Sequence, residues 1–404
     1  MKPPIAARPL LAAALFAATL LVAHPGFAGA QTTAPEEIRL TAPGLDQPVE
    51  ILKDQWGISH IYADTEHDLF FAQGYNAARD RLFQLEIWRR EATGTMAEIL
   101  GPRAITRDHG IRLFKFRGDL DTEMRHYHPR GHEIIPAFVT GINAYIDETR
   151  RDPDLLPIEF EMLGITPEHW TPEVVITRHR GLLGDAGTSL DYGRAVYLLG
   201  ADKVRDVASF HPHQPDIELD PSIDGQHLID HDILELYRAF RSSTSFRPED
   251  VAPEFRAEED DFEQLEAALT RETQQLERRE RESLGSNNWV LSGRLAANDY
   301  PMMANDPHRA QATPSLRYWV HLNGPGWNVQ GAGEPALPGV SIGHNDHGAW
   351  GLTVFAINHE DIFVYETHPD DPRRYRYQDR WVEMEGIAET IRVRGEESRA
   401  VELL

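Results

Sequence analysis

A sharp change of composition at Gly285 divides the sequence and constrains what it can fold into. Residues 264–282 are nearly all charged or strong helix-forming residues, with few side chains that could pack. After Gly285, short β-prone segments alternate with glycine, asparagine and proline, which is typical of a sheet with turns. Before the break, apolar residues recur mainly at helical spacing. The sequence therefore predicts an α+β protein with a helical first half and a sheet in its second half.

The same patterns predict individual elements and four regions. The apolar spacing favours helices over 66–92, 135–150 and 172–182 and, among several strands, ones over 316–322 and 327–330. We divide the chain into a signal peptide at 1–30, a mainly helical region at 31–242, a spacer at 243–285 and a β-rich region at 286–404.

The first 30 residues are typical of a secretory signal peptide. Lys2 and Arg8 form a basic region, the next 15 residues from Pro9 are apolar apart from Thr19, and the small residues 28–30 precede the predicted cleavage site. A membrane anchor is the alternative, but the apolar run is shorter than the roughly 20 residues that span a bilayer. The sequence therefore predicts a periplasmic or secreted protein that has no membrane partner after cleavage.

Charge and cysteine content exclude several classes of function. The formal net charge is -25, from 65 acidic and 40 basic side chains, and such a chain repels the phosphates of nucleic acids. There are no cysteines, which excludes disulfides, zinc–thiolate sites and a cysteine nucleophile.

Ser286 stands where the polar segment meets a strand candidate. Serine is a poor nucleophile without a base. A cut between Gly285 and Ser286 would supply one, because the new α-amine has a reference pKa of about 7.7–8.0 and is partly neutral at mild pH. Glycine before the serine suits the contorted peptide that self-cleavage needs. The alternative for a Gly-Ser pair is a plain flexible turn.

Both halves of the sequence contain short motifs in a definite order. In the first half they are Gly57–Ile61, Ala78–Gln84, Gly94–Glu98, Pro157–Phe160 and Thr166–Trp170. In the second half they are Gly285–Gly293, Ala304–His308, Leu337–Asn345, Trp350–Val354 and Asp361–Phe363. Together these motifs resemble the penicillin acylase family of N-terminal-nucleophile amidases. The resemblance implies an αββα sandwich made from a helical α-chain and a β-chain that begins at residue 286. It also implies that the two chains stay associated after the cut.

The resemblance implies roles for three residues and no cofactor for catalysis. Ser286 would be the nucleophile, and the backbone N–H of Val354 would donate to the oxyanion. His308 would orient or polarise the serine, although a structural side chain beside Pro307 is an equal alternative. The reaction implied is hydrolysis of a small N-acyl amide, of the β-lactam or acyl-homoserine-lactone type.

One structural calcium ion is also implied, since hard cations bind oxygen ligands. The matching positions are Asn358, the Glu360 carbonyl and Asp361, and Asp191 is the candidate for the acidic ligand from the first half. The family has aspartate in place of Asn358, and a solvated acidic turn is the alternative.

A zinc site is a rival interpretation of the histidines that follow residue 340. His344 and His347 have a spacing that two zinc ligands could use. Gly343 and Gly348 flank them, so a helix that presents both is unfavourable.

The region after the serine is short for the family. Residues 286–404 number 119, whereas family β-chains are several times longer. The family's second oxyanion donor, an asparagine side chain, and an active-site arginine have no counterpart here. We therefore expect a truncated precursor that lacks the later strands of its sheet. A non-catalytic exported remnant or binding protein is the alternative function.

Overall fold

The computed structural model of the chain describes residues 36–179, 186–208, 217–256, 286–308, 313–353 and 360–404. The predicted signal peptide and most of the predicted spacer, including the polar run at 264–282, lie outside the described residues.

All the α-helices in the described ranges precede residue 257. They are α1 (Glu66–Thr93), α2 (Ala97–Leu100), α3 (Ile105–Phe114), α4 (Leu120–Tyr127), α5 (Gly131–Arg151), α6 (Ile158–Leu163), α7 (Pro172–His179), α8 (Ala186–Leu199), α9 (Ala201–Val207), α10 (Gly225–Asp230) and α11 (Glu235–Arg241). No helix in those ranges is both long and apolar enough to cross a membrane.

The β-strands lie mostly after residue 286. They are β1 (Glu36–Leu40), β2 (Val49–Lys53), β3 (Ser59–Tyr62), β4 (Asn287–Leu291), β5 (Met302–Asp306), β6 (Tyr318–Gly324), β7 (Trp327–Gly333), β8 (Ile342–Asn345), β9 (Ala349–Trp350), β10 (Thr367–His368), β11 (Asp371–Tyr377), β12 (Arg380–Glu383), β13 (Ile387–Ile391) and β14 (Arg399–Leu403). Helices therefore dominate the first half and strands the second, which confirms the predicted α+β class.

Helix α1 is the central element of the helical half, and its ends are capped by its own sequence. The Thr65 hydroxyl accepts a hydrogen bond from the Asp68 N–H at 3.0 Å and satisfies one of the free donors of the first turn. Gly94 ends the helix in the left-handed conformation (φ 64°), which glycine adopts without strain. Leu69, Phe70 and many other α1 side chains are buried, because α5 packs along one side of the helix and the sheet along another.

The main sheet joins strands from both halves of the chain. Its seven strands lie in the order β1-β2-β3-β6-β7-β8-β9. Neighbours are antiparallel except β3 and β6, which pair in parallel with Ile61 opposite Leu322. Ile61, Val320 and Leu322 are buried against α1 on one face, so the sheet and α1 share one apolar core.

The first described residues of the predicted spacer are packed against the helical half. Asp250 is buried and forms an ion pair with Arg103. The N–H of Ala252 donates to the carbonyl of Met162 at 2.7 Å. Residues 243–256 are thus docked, and the assignment of 243–285 as a spacer stays a prediction.

Glu389 ties the β13–β14 hairpin to α3 and the turn after it. Its carboxylate lies 2.7 Å from Arg112 Nη1, 3.0 Å from Lys115 Nζ and 3.2 Å from Arg117 Nη2. Burial alone would raise the pKa of Glu389, but Lys115 and Arg112 outweigh burial and lower it. The ionised carboxylate is therefore favoured in the folded state.

We predict that Glu389→Gln lowers the free energy of unfolding at pH 7 by about 1–3 kcal/mol, because three cations are left without their shared anion. A lowered folded-state pKa gives stability that is present above the unfolded value, near 4.3, and is lost as the pH falls through the folded value. The difference in the free energy of unfolding between wild type and Glu389→Gln should therefore become smaller below about pH 4. Urea unfolding of both proteins between pH 7 and that range measures this difference.

The control for this prediction is Glu397→Gln, because Glu397 is exposed on the same part of the chain. Its unfolding curve should follow the wild type at every pH. Equal stability of Glu389→Gln and wild type at pH 7 would contradict the prediction.

Candidate active site

Ser286 immediately precedes β4, and the pairing of β4 with β5 decides its surroundings. The two strands are antiparallel, with Asn287 opposite Asp306. The chain that leaves β5 therefore passes beside Ser286, where the backbone N–H of His308 donates to Ser286 Oγ at 3.2 Å. The structure thus brings together two of the residues that the sequence predicted for the site.

The ring of His308 is engaged with the neighbouring acidic residue. Its Nε2 lies 3.1 Å from Asp306 Oδ2, which also accepts a hydrogen bond from Asn287 Nδ2 at 3.3 Å. The hydrogen bonds from Asn287 and then from His308 lower the pKa of Asp306. The contact with the serine described above comes from the backbone of His308, and a role for its ring stays a prediction.

Asn305 is a residue of the site that the sequence analysis missed. Its Nδ2 donates to the carbonyl of Asn287 at 3.0 Å and to the carbonyl of Leu352 at 3.0 Å, and its Oδ1 accepts from the Leu352 N–H at 3.1 Å. One amide side chain therefore joins the residue after Ser286 to the segment that follows β9. The only signal in the sequence was its position inside the Ala304–His308 motif.

Gly351 permits the close approach that this contact needs. A Cβ atom at Gly351 would lie 2.5 Å from Asn288 Nδ2 and 2.8 Å from Asn305 Cγ. Both distances are shorter than real Cβ contacts, so a larger residue would push the segment away from β4 and β5.

Val354 and Asn358 lie outside the described residues. Leu352, two positions before Val354, is held by Asn305 as described. The role of the Val354 N–H as an oxyanion donor stays a prediction.

Two other members of the predicted calcium set, Asp191 and Glu360, have protein partners. The Asp191 side chain is 79% exposed and lies 3.6 Å from Arg194. The Glu360 carboxylate accepts hydrogen bonds from the Tyr237 hydroxyl at 2.6 Å and the Ala186 N–H at 3.2 Å. In the part of the chain that the structure describes, no three histidine or acidic side chains gather into a metal site. That finding covers His344 and His347, and it leaves the calcium ion as a prediction.

A cavity of about 800 Å³ lies beside Glu360 and Asp361. It is bounded by α3, α11 and residues 360–363, and Phe114, Phe240 and Phe363 are part of its lining. Small-molecule pockets usually have volumes of about 300–1,000 Å³ and mostly apolar walls. A ligand-sized space is therefore present next to two residues of the predicted calcium set.

The family model described as penicillin amidase matches residues 48–404. The chain belongs to the penicillin amidase family. Membership confirms the resemblance that the motifs indicated, and it covers both the helical half and the region that begins at Ser286.

The curated relatives of this chain are named either as penicillin acylases or as acyl-homoserine lactone acylases. Penicillin G acylase of Escherichia coli is 29% identical over 86% of this chain and 43% of its own length. Penicillin acylase 2 proenzyme of Pseudomonas sp. (strain SE83) is 27% identical over 90% of this chain and 43% of its own length. Acyl-homoserine lactone acylase QuiP of Pseudomonas aeruginosa is 28% identical over 87% of this chain and 38% of its own length. The chain thus spans about two fifths of the length of these relatives.

A solved structure was also matched. Thermostable penicillin G acylase from Alcaligenes faecalis is 23% identical to this chain, with a TM-score of 0.36, over 42% of this chain and 97% of that chain.

We predict that Asn305→Ala frees the Leu352 segment from β4. The variant loses hydrogen bonds to two partners, which are together worth about 1–2 kcal/mol. Hydrogen exchange at the Leu352 amide should become about tenfold faster or more, whereas amides in α1 should keep their wild-type rates. Exchange followed by mass spectrometry or NMR measures both.

Asn305→Asp is the matched control, because it keeps an acceptor for the Leu352 N–H but loses both donated bonds. Its Leu352 amide should exchange at a rate between those of wild type and Asn305→Ala. Unchanged exchange in the alanine variant would contradict the role given to Asn305.

Proposed function

We propose that the chain belongs to an exported amide hydrolase that cuts itself before Ser286 and then hydrolyses small N-acyl compounds. One observation carries the proposal. Ser286 lies immediately before β4, and the backbone N–H of His308 donates to its hydroxyl oxygen. Membership in the penicillin amidase family supports the assignment. Export is proposed from residues 1–30, which are outside the described ranges.

The first step is the cut itself. Ser286 Oγ attacks the carbonyl carbon of Gly285, the hydroxyl proton passes to the Ser286 nitrogen, and the bond from that carbon to the nitrogen breaks. This gives an ester between Gly285 and the serine oxygen and releases the α-amine of Ser286. Water then hydrolyses the ester, leaving a carboxylate on Gly285 and restoring the hydroxyl. Ser286 now carries both a nucleophile and a base.

The second reaction uses the same oxygen on a substrate. The α-amine of Ser286 takes the hydroxyl proton, through a water molecule, while Oγ attacks the acyl carbon of the amide. The N–H of His308 keeps Oγ oriented. The amine leaves with a proton, and water hydrolyses the acyl ester to a carboxylic acid. We propose the Val354 N–H as a donor to the oxyanion, and one such donor is worth about 10²–10³ in rate.

The names of the relatives suggest the substrate class. They name penicillins and acyl-homoserine lactones, and both kinds of molecule join an acyl chain to a ring through a secondary amide. We propose that this chain's reaction centre acts on that amide, with no cofactor. A calcium ion held by Asp191, Asn358, the Glu360 carbonyl and Asp361 is proposed only as a structural element, and no step depends on it.

We also propose that the two pieces stay associated after the cut. β3 and β6, which lie on opposite sides of residue 286, are hydrogen-bonded neighbours in the main sheet. Gln73 of α1 is buried and pairs with both backbone groups of Gly339, accepting at 2.8 Å and donating at 2.9 Å. These contacts do not depend on the peptide bond before Ser286.

We predict that purified wild-type protein contains a fragment that begins at Ser286 and that Ser286→Ala contains none. The substitution removes the only atom that the proposed cut uses as nucleophile. Intact-mass spectrometry measures the fragments. Release of amine from a penicillin and from an N-acyl-homoserine lactone, measured by chromatography, should fall to background in the same variant.

Ser292→Ala is the control, because Ser292 is an exposed serine just after β4. It should leave the fragment and the hydrolysis unchanged. Hydrolysis by an uncut chain would overturn the mechanism. A wild-type chain that stays uncut and inactive would favour the remnant or binding protein instead.

We predict that the two fragments elute together in gel filtration and separate only in denaturant. Gln73→Leu should lower the urea concentration at which they separate, since it leaves the Gly339 N–H and carbonyl without partners at a cost of about 1–3 kcal/mol. Gln226→Leu, at an exposed glutamine of α10, is the control and should leave that concentration unchanged. Fragments that separate without denaturant would contradict the proposed association.

A further inference from the structure

Two histidines lie side by side on the face of the main sheet that is turned away from α1. The parallel register of β3 and β6 places His60 directly opposite His321. Their chain neighbours Ile61 and Leu322 are buried on the other face, so both rings are on the side without the helix. The two Nδ1 atoms are 3.1 Å apart.

The far side of each ring faces a hydrogen-bond acceptor. His60 Nε2 lies 3.4 Å from Asp54 Oδ2, and His321 Nε2 lies 2.9 Å from Asn328 Oδ1. The Asn328 amide nitrogen donates to both carboxylate oxygens of Asp346, at 2.9 Å each, and this turns its oxygen toward His321. Both contacts are satisfied when each Nε2 carries a hydrogen.

A neutral imidazole has only one N–H. With hydrogens only on the two Nε2 atoms, the unprotonated Nδ1 atoms lie 3.1 Å apart, and this arrangement is repulsive unless a proton or a metal ion binds between them. Imidazole nitrogens coordinate zinc at about 2.0–2.1 Å, so two that bind one ion with an angle between 90° and the tetrahedral value lie about 2.8–3.4 Å apart. The observed separation lies in this range.

We propose that His60 and His321 bind one divalent transition-metal ion of the zinc, nickel and copper class through their Nδ1 atoms. Imidazole is a ligand that suits these metals. A metal-binding histidine usually donates its other N–H to a carboxylate or a carbonyl oxygen, and here Asp54 and Asn328 accept those hydrogen bonds. Asp54 and Asp346 also supply negative charge at the two ends of the arrangement. Water fills the remaining positions.

The site would link the two halves of the chain, because β3 precedes Ser286 and β6 follows it. It does not depend on the proposed amidase activity, and neither His60 nor His321 takes part in that chemistry. Binding to the folded state alone would raise the melting temperature as the metal concentration rises.

The test uses the 404-residue chain without an affinity tag, stripped of metal and then titrated with Zn²⁺ or Cu²⁺. The wild type should bind one ion at this site, and His60→Ala and His321→Ala should each bind it with at least tenfold lower affinity. Asp54→Asn should weaken binding about tenfold, the loss that follows removal of an orienting partner. His344→Ala, on β8, which β7 separates from β6, is the control and should bind like the wild type.

Electron paramagnetic resonance of the Cu²⁺ complex gives a readout that needs no variant. Nitrogen hyperfine coupling from two imidazoles in the wild type supports the site. Equal zinc binding by wild type and both histidine variants would overturn it. So would a wild type that binds no metal and shows by NMR a proton shared between the two Nδ1 atoms. The metal titrations and the resonance measurement are repeated on Ser286→Ala, where metal binding should be unchanged. Failure of the metal site is therefore distinct from failure of the proposed function.

Discussion

The parallel pairing of β3 with β6 is the contact on which the rest of the fold depends. It is the point where strands that precede residue 63 join strands that follow residue 317 in one sheet. Beneath it, Asn76 of α1 is fully buried and donates to the Ser59 hydroxyl at 3.0 Å and to the Tyr318 hydroxyl. Tyr318 in turn donates to Asp80 at 3.1 Å. Apolar packing and these side-chain hydrogen bonds therefore both hold β3 and β6 against α1.

The position of one first-half motif has a physical explanation in this contact. Asp80 and Arg81 lie in the Ala78–Gln84 segment that indicated the family. Asp80 accepts from Tyr318 and forms an ion pair with Lys53 at 2.7 Å, and Arg81 donates to the carbonyl of Ser315 at 2.9 Å. The motif thus joins α1 to the chain just before β6, so it holds the scaffold together at a site away from the nucleophile.

Local patterns in the sequence were enough to predict the elements but not how they pair. The helix expected over 66–92 is present at Glu66–Thr93, and the strand expected over 316–322 is present at Tyr318–Gly324. The spacing of apolar residues shows which face of a helix or strand is apolar, and so it predicts which of its side chains are buried. It contains no information about which strand lies next to β3. Asn305 was missed for the same reason, since its contact with Leu352 depends on a fold that brings together residues 47 positions apart.

The long separation along the chain between β3 and β6 also sets an order of events during synthesis on the ribosome. β3 is complete once Tyr62 has emerged, but its partner strand begins only at Tyr318. At about 5–20 residues per second, roughly 250 further residues take about 10–50 s to translate. Throughout that interval the β3 edge is unpaired, and an unpaired edge is a template for wrong strand association. The nascent chain therefore needs protection, by a chaperone or by its own helices, until the second half arrives.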